Sequence, residues 1–338
     1  MNQMIGKQSI SFEEPVHILS AASIVGPKEG EGPLGEYFDI VCTDPMNGCD
    51  NWESAESSFQ KKAAKMAIEK AGLTEDQIRM IFAGDLLAQS IASSFGLLDL
   101  KIPVYGLYGA CSTMGEALSL GSMAIAGGYG NHVLSLTSSH FASAEKEFRF
   151  PLSYGNQRPL CASWTVTGSA ACVLGKSGGK AVITGVTTGK IIDNGLKDSM
   201  NMGACMATAA SDTIYHNFVD FLRTPSDYDK IITGDLGSVG SRILIDLMGE
   251  RGMDISDKHM DCGVEIFDSV TQDTHAGGSG CGCAASVFAS YILPRVESGE
   301  WKRILFVPTG ALLSKVSFAE GGSVPGIAQA VVVETKGE

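Results

Sequence analysis

The segment PVYGLYGACSTMGEALSLGSMAIAGGYGNHVLSLTSSH, residues 103–140, decides the fold. Its apolar run at 104–108 is typical of a buried strand, and a Gly-Ala turn follows it. Residues 114–126 are nearly all small or apolar, so we expect a helix that is buried on every side. A second apolar run at 133–136 predicts the next strand. The segment therefore predicts a strand, a central helix and a second strand of an α/β protein.

Cys111 stands at the start of that predicted helix. The positive end of the helix dipole favours a thiolate at this position, which is typical of a nucleophilic cysteine. A small buried residue at a tight step between strand and helix explains the same cysteine, because cysteine often serves only for packing. Spacing alone leaves both interpretations open.

The composition is that of a protein with a large core and few charges. Of 338 residues, 44% are hydrophobic, 19% are charged and 41 are glycine. These values are typical of a compact α/β chain whose backbone is largely buried. The formal net charge of −13 argues against a general nucleic-acid surface. An anionic ligand would therefore require a local basic pocket.

Nine cysteines are scattered along the chain without the spacing of a disulfide framework. The N-terminal residues lack the apolar run of a signal peptide, and no apolar run is long enough to cross a bilayer. We therefore expect an intracellular protein with reduced thiols. Cys281 and Cys283 lack a second pair at zinc-binding spacing, so we expect no metal site, and nothing in the sequence calls for a cofactor.

An internal repeat divides the chain. LTEDQIRMIFAGDL at 73–86 and RTPSDYDKIITGDL at 223–236 superpose without a gap, and the cysteine step has a counterpart at 276–285. A duplicated pattern of strands and helices needs mostly parallel sheets covered by helices. We therefore expect two halves, residues 1–178 and 179–338, related by a pseudo-twofold axis. The helices after the two cysteine steps should lie between the two sheets.

The repeat and the cysteine at the head of the first buried helix resemble the thiolase superfamily of thiolases and ketoacyl synthases. That resemblance implies a five-layer α-β-α-β-α fold and a homodimer. The chain resembles one branch much more closely, the stage V sporulation protein AD family. The motifs that carry this resemblance are GPKEGEGPLG (26–35), AGDLLAQS (83–90), GACSTMGEAL (109–118), TSSHFASAEKEFRFP (137–151), SYGNQRP (153–159), TGDLGSVGS (233–241), AGGSGCGCAA (276–285) and PTGALLS (308–314).

The family resemblance implies a spore protein that binds dipicolinic acid, pyridine-2,6-dicarboxylate, as the free acid or as its calcium chelate. It implies that the protein assists uptake of this compound into the developing spore, together with membrane proteins of the same operon. Since we expect no transmembrane helix, it further implies peripheral attachment to the spore inner membrane through those partners.

Acyl transfer in the superfamily needs a cysteine thiolate, a histidine for proton transfer and a second His, Asn or Cys that stabilises the oxyanion. Cys111 matches the first of these. Where condensing enzymes carry the histidine this chain has Asp235, and where they carry asparagine it has Ser279 to Cys283. Cys281 or Cys283 is available as an acid or base, but the set lacks its histidine.

A site for a dicarboxylate needs cations or backbone N–H groups. Lys146, Arg149 and Arg158 lie in the region after His140, and Arg149 is the preferred contact because a guanidinium binds a carboxylate through two hydrogen bonds. The expected ligand-binding residues are Cys111, His140, Arg149, Asp235, Ser279 and Cys281. His140 is equally compatible with a role as a ligand contact and with a role as a buried core histidine. Asp85, the counterpart of Asp235 in the repeat, is expected to cap a turn or helix.

Three functions are compatible with these residues. The leading hypothesis is a binding protein for dipicolinic acid on a thiolase fold that has lost its reaction. The alternatives are an active acyltransferase or condensing enzyme that uses Cys111 with Cys281 or Cys283, and a structural subunit of a membrane channel complex.

Overall fold

The computed structural model describes residues 3–148 and 157–337, in which strands and helices alternate. The strands are β1 (Met4–Ile5), β2 (Ser9–Val25), β3 (Ile40–Val41), β4 (Ile81–Gly84), β5 (Val104–Leu107), β6 (His132–Ser139), β7 (Trp164–Thr165), β8 (Gly168–Gly175), β9 (Ala181–Thr188), β10 (Lys230–Thr233), β11 (His259–Asp261), β12 (Gly278–Ser279), β13 (Arg303–Val307), β14 (Thr309–Ala311) and β15 (Gly326–Thr335). The α-helices are α1 (Pro27–Gly30), α2 (Trp52–Lys70), α3 (Ile91–Leu97), α4 (Thr113–Ala126), α5 (Phe141–Phe148), α6 (Met202–Phe221), α7 (Gly237–Glu250), α8 (Cys262–Ile266), α9 (Cys281–Val287), α10 (Leu293–Glu297) and α11 (Lys315–Ala319).

One continuous sheet runs through the described chain in the order β11-β10-β13-β15-β9-β2-β8-β6-β4-β5. Outward from β2 the first half has the order β2-β8-β6-β4-β5, and outward from β9 the second half repeats it as β9-β15-β13-β10-β11. In each half one strand, β8 or β15, runs antiparallel to its neighbours, and the other four share one direction. β2 and β9 pair antiparallel and join the halves. The sequence repeat thus corresponds to a repeated strand order.

Helices divide this arrangement into five layers. α4 lies between the halves, where it contacts β4 and β6 on one side and β15 on the other. α9 also lies in the middle layer. On one side it contacts β6 and β8 of the first half. On the other side Phe288, the residue that follows α9, packs against Phe306 in β13 of the second half, with the two ring centres 4.6 Å apart. α2 and α3 cover the outer face of the first half, and α6 and α7 cover that of the second. This is the α-β-α-β-α arrangement expected from the sequence.

The central helix α4 is buried on nearly all sides, as its composition predicts. Ten of its 14 residues are buried. Small residues allow the strands to approach closely: a Cβ atom on Gly115 would lie 2.9 Å from the carbonyl oxygen of Gln329 in β15. In the described ranges, no helix is both long enough and apolar enough to span a bilayer.

The strand before Cys111 differs from its prediction. The sequence predicts a buried strand at 104–108, whereas β5 is the last strand of the sheet and pairs only with β4 in the described chain. Val104, Tyr105 and Tyr108 are therefore 44%, 59% and 47% exposed. The apolar composition of this strand therefore belongs to an open sheet edge and not to a buried strand.

Candidate functional site

Cys111 lies in the step between β5 and α4, as the sequence predicts. Ala110 adopts the left-handed backbone conformation, with φ of 50°, so the chain reverses direction before the helix. The Ser112 hydroxyl donates to the Gly109 carbonyl at 2.7 Å and fixes this turn. The step holds the buried Cys111 thiol against Asp235 of the second half.

Asp235 provides a buried carboxyl group beside Cys111. It follows β10, and its two oxygens accept hydrogen bonds from the Gly280 amide at 2.8 Å and from the Thr309 hydroxyl at 2.9 Å. The Cys111 thiol is its third partner. Burial raises the pKa of Asp235 to about 7, so both protonation states are populated at neutral pH.

The surroundings of Cys111 oppose a thiolate. Burial raises the pKa of the Cys111 thiol well above its usual value, and the Asp235 carboxylate raises it further. Desolvation and a like charge together outweigh the helix dipole, which acts only over the first turn. Of the two interpretations that the sequence leaves open, the raised pKa of Cys111 therefore favours a small packed residue over a nucleophile.

Cys281 and Cys283 are protonated thiols as well. Cys281 begins α9 and donates to the Ser138 carbonyl at 2.9 Å, and Cys283 donates to the Gly234 carbonyl at 3.6 Å. Burial raises the pKa of both thiols well above the usual value. Neither cysteine has the pKa near neutrality that an acid or base in acyl transfer needs.

A small cavity, here called the Cys111 cavity, opens at this step. Its volume is about 40 Å³, close to the space of one water molecule. Its lining residues are Leu86, Tyr108, Ala110, Cys111, Ala144, Glu145, Phe148, Thr165, Met202, Ser279, Ala311 and Leu313. The structure thus brings Cys111 and Ser279 together, with Cys281 packed against Cys111 and Asp235 beneath it. Among the described residues that line it, none carries a positive charge.

Two more buried carboxyl groups, Glu56 of α2 and Asp85 after β4, lie near the Cys111 cavity. Glu56 accepts hydrogen bonds from the hydroxyls of Ser138 and Ser143 at 2.9 and 2.7 Å. Asp85 accepts from the amide and hydroxyl of Ser93 in the first turn of α3, which is the capping role expected of it. Burial and the Asp85 charge together raise the pKa of Glu56 to about 8.

His140 faces a different cavity, here called the Lys28 cavity. Its Nδ1 accepts from the Ala142 amide at 3.2 Å, so its Nε2 carries the proton and donates to the Pro45 carbonyl at 2.9 Å. Burial lowers the pKa of His140. The cavity has a volume of about 180 Å³, and its lining residues are Pro27, Lys28, Glu29, Pro45, Trp52, His140, Phe141, Ala142, Trp164 and Thr167. The structure therefore separates His140 from Cys111.

The cations expected near the ligand lie apart from the Cys111 cavity or cannot be placed. Arg149 lies outside the described residues. Lys146 pairs with Glu53 at 2.6 Å, and Arg158 pairs with Asp273 at 3.0 Å. Sequence analysis overlooked Lys28, whose signal was a Lys-Glu pair in the glycine- and proline-rich motif GPKEGEGPLG. Within residues 3–148 and 157–337, no cluster of His, Cys, Asp or Glu side chains is arranged to hold a metal ion.

Comparison with known proteins identifies both a family and a fold. The model of the stage V sporulation protein AD family matches residues 6–334. Stage V sporulation protein AD of Bacillus subtilis (strain 168) is 42% identical over 335 residues, which cover 99% of this chain and 99% of that protein.

Solved structures match nearly the whole chain at low sequence identity. A variant of OleA from Xanthomonas campestris has a TM-score of 0.62 at 14% identity and covers 96% of this chain and 99% of its own. Acat5 thiolase from Ascaris suum, in complex with coenzyme A, has a TM-score of 0.59 at 13% identity and covers 95% of this chain and 100% of its own. At these identities the structures show the fold alone, and the thiolase-like fold predicted from the sequence is confirmed.

The protonated state of Cys111 predicts low reactivity. At neutral pH we expect iodoacetamide to modify Cys111 at least about tenfold more slowly than the partly exposed Cys49 and Cys161, because only the thiolate attacks. Peptide mapping by mass spectrometry after timed labelling measures the rates. Preferential labelling of Cys111 in the native protein would contradict the protonated state.

The buried Glu56 predicts that stability depends on pH. Because the pKa of Glu56 is about 8 in the folded chain and near 4.5 when unfolded, its contribution to the free energy of unfolding is lost as pH rises from 4.5 to 8. Glu56→Gln should remove this dependence and raise the free energy of unfolding at pH 8 by on the order of 2 kcal/mol.

Urea unfolding at several pH values measures the effect of Glu56→Gln. Glu53→Gln is the matched control on the same helix, because Lys146 holds the pKa of Glu53 below its usual value. A stability gain at pH 8 that is equal in the two variants would show that burial of Glu56 is not the cause.

Proposed function

Because the chain belongs to the stage V sporulation protein AD family, we propose that it binds dipicolinic acid and assists its uptake into the developing spore. The match to this family over nearly the whole chain is the observation that carries the proposal. The binding protein acts with membrane proteins of the same operon and attaches through them to the spore inner membrane. Its ligand is the free dicarboxylate or the calcium chelate.

The chemistry at Cys111 favours binding over acyl transfer. The described residues that line the Cys111 cavity include no histidine, and the Cys111 thiol is hydrogen-bonded to the Asp235 carboxyl group. Removing the proton from Cys111 would place a second negative charge beside Asp235 in a desolvated site. These features support a protein with a thiolase-like fold in which Cys111 is present but is not activated as a nucleophile.

The proposal includes a homodimer that forms through the edge strand β5. Its outer edge has no partner strand in the described chain, and Val104 and Tyr105 expose apolar surface there. Leu98, which lines the same surface groove as Val104, also exposes its side chain. An unpaired edge is complementary to a second copy of itself about a twofold axis, and pairing would satisfy its backbone groups.

Direct titration tests the binding function. Calorimetry with dipicolinate, with and without Ca²⁺, should give saturable binding in at least one condition, whereas pyridine without its carboxylates should give none because the ion pairs are missing. Absence of saturable binding at millimolar dipicolinate in both conditions would contradict the proposal. Formation of an acyl adduct on Cys111 with acyl-CoA, seen by intact mass, would instead support the acyltransferase alternative.

The dimer interface is tested by placing a charge on the sheet edge. Val104→Lys should convert the dimer into a monomer, because each subunit would have to bury a charged side chain in an apolar interface. Light scattering coupled to size-exclusion chromatography measures the mass. Val316→Lys on α11 is the matched control at another exposed valine and should remain dimeric. A wild-type monomer, or a dimer that survives Val104→Lys, would contradict this interface.

A further inference from the structure

Two neighbouring segments of the second half, residues 190–198 and 314–321, are exposed along nearly their whole length. They present four large apolar side chains together with three lysines. We propose that this surface, here called the Phe318 surface, lies against an anionic lipid bilayer. The inference goes beyond the proposed function, in which membrane proteins of the same operon attach the chain to the membrane, and it does not depend on ligand binding.

The helix α11 supplies the apolar centre of the Phe318 surface. Ser314 caps the helix by accepting a hydrogen bond from the Ser317 amide at 3.3 Å, and every residue of the helix is exposed. Val316 is 70% exposed, and the Phe318 ring is exposed as well. A surface helix usually turns its apolar side chains towards the core. These side chains are left in water instead, so a second apolar phase that covers them would stabilise the arrangement.

The first segment continues the Phe318 surface, because the chain that follows α11 is hydrogen-bonded to it. The Ser323 hydroxyl donates to the Asp193 carboxylate at 2.6 Å, and the Val324 amide donates to the Leu196 carbonyl at 2.8 Å. These bonds hold the two segments side by side. Ile191 is 64% exposed, and the Leu196 side chain is exposed too. Four apolar side chains thus belong to one region of the surface.

The charge of the Phe318 surface differs from that of the rest of the chain. Its charged residues are Lys190, Lys197, Lys315, Asp193, Asp198 and Glu320. Three positive and three negative charges cancel, so the net charge of −13 belongs to the rest of the chain. An anionic bilayer repels that remainder and not this surface, which orients the protein. The lysine stems can lie along apolar surface while their ammonium groups reach lipid phosphates.

A bilayer fits the Phe318 surface better than a folded partner protein does. A few apolar side chains flanked by lysines are typical of interfacial contacts, in which the apolar groups enter the acyl boundary and the lysines meet the headgroups. A stable protein interface buries about 800 Å² on each side and centres on well-packed anchors. Four apolar side chains on two short segments do not supply such a centre.

The Phe318 surface also adjoins the Cys111 cavity. Leu313, which lines the cavity, directly precedes the Ser314 cap of α11. Met202, another lining residue, follows the first segment at the start of α6. Both exposed segments are therefore continuous in sequence with the wall of the cavity. A bilayer that contacts the Phe318 surface would lie on the same side of the molecule as these two lining residues.

Vesicle flotation of the purified chain tests this inference, with vesicles of phosphatidylglycerol and phosphatidylcholine and with vesicles of phosphatidylcholine alone. The wild type should float with the anionic vesicles and less with the neutral ones. Val316→Ser combined with Phe318→Ser should weaken binding by at least about tenfold, because the side chains that enter the acyl boundary are gone. Lys197→Gln combined with Lys315→Gln should weaken binding to the anionic vesicles alone, by about fivefold for each lysine.

Matched controls are Val219→Ser, at an exposed valine near the far end of α6, and Lys176→Gln, at an exposed lysine after β8, and both should float as the wild type does. The inference is wrong if the wild type floats with neither kind of vesicle, or if the serine variant floats as well as its control. Titration of the same proteins with dipicolinate keeps the two questions apart. Dipicolinate binding without flotation leaves the proposed function standing, and flotation without dipicolinate binding leaves this inference standing. A thermal melt of each variant shows that a loss of flotation is not a loss of folding.

Discussion

The carboxyl group of Asp235 sets the chemistry at the centre of the molecule. Gly280 and Thr309 hold it by hydrogen bonds beneath the Cys111 thiol, in a place from which water is excluded. A carboxylate in this position stabilises a protonated thiol, whereas an imidazolium would stabilise a thiolate. The residue that follows β10 therefore bears directly on the protonation state of the Cys111 thiol.

Packing in the middle layer fixes the two cysteine steps in place. α4 and α9 are packed between the two halves of the sheet. Cys111 lies just before α4 and Cys281 begins α9, so packing of these helices fixes the positions of both cysteines. A larger residue at either step would disturb packing in both halves. Retention of Cys111 and Cys281 is therefore expected from packing alone.

Sequence analysis predicted the features that follow from periodicity and repetition. The repeat at 73–86 and 223–236 predicted the duplicated strand order. It also paired Asp85, which was expected to cap a turn or helix, with Asp235, which was expected at the pocket. It did not predict the exposed edge of β5, because composition does not tell which strand is last in a sheet. The protonation of Cys111 and the orientation of His140 depend on residues distant in sequence. Glu56 was detectable in principle, as a carboxylate on the apolar side of α2.

The central claim is that the buried carboxyl group of Asp235 opposes ionisation of the Cys111 thiol. The pH dependence of Cys111 alkylation, compared between the wild type and Asp235→Asn, tests this claim most directly. The account predicts faster alkylation of Cys111 in Asp235→Asn, because the carboxylate that opposes the thiolate is gone. Equal rates in the two proteins would contradict it.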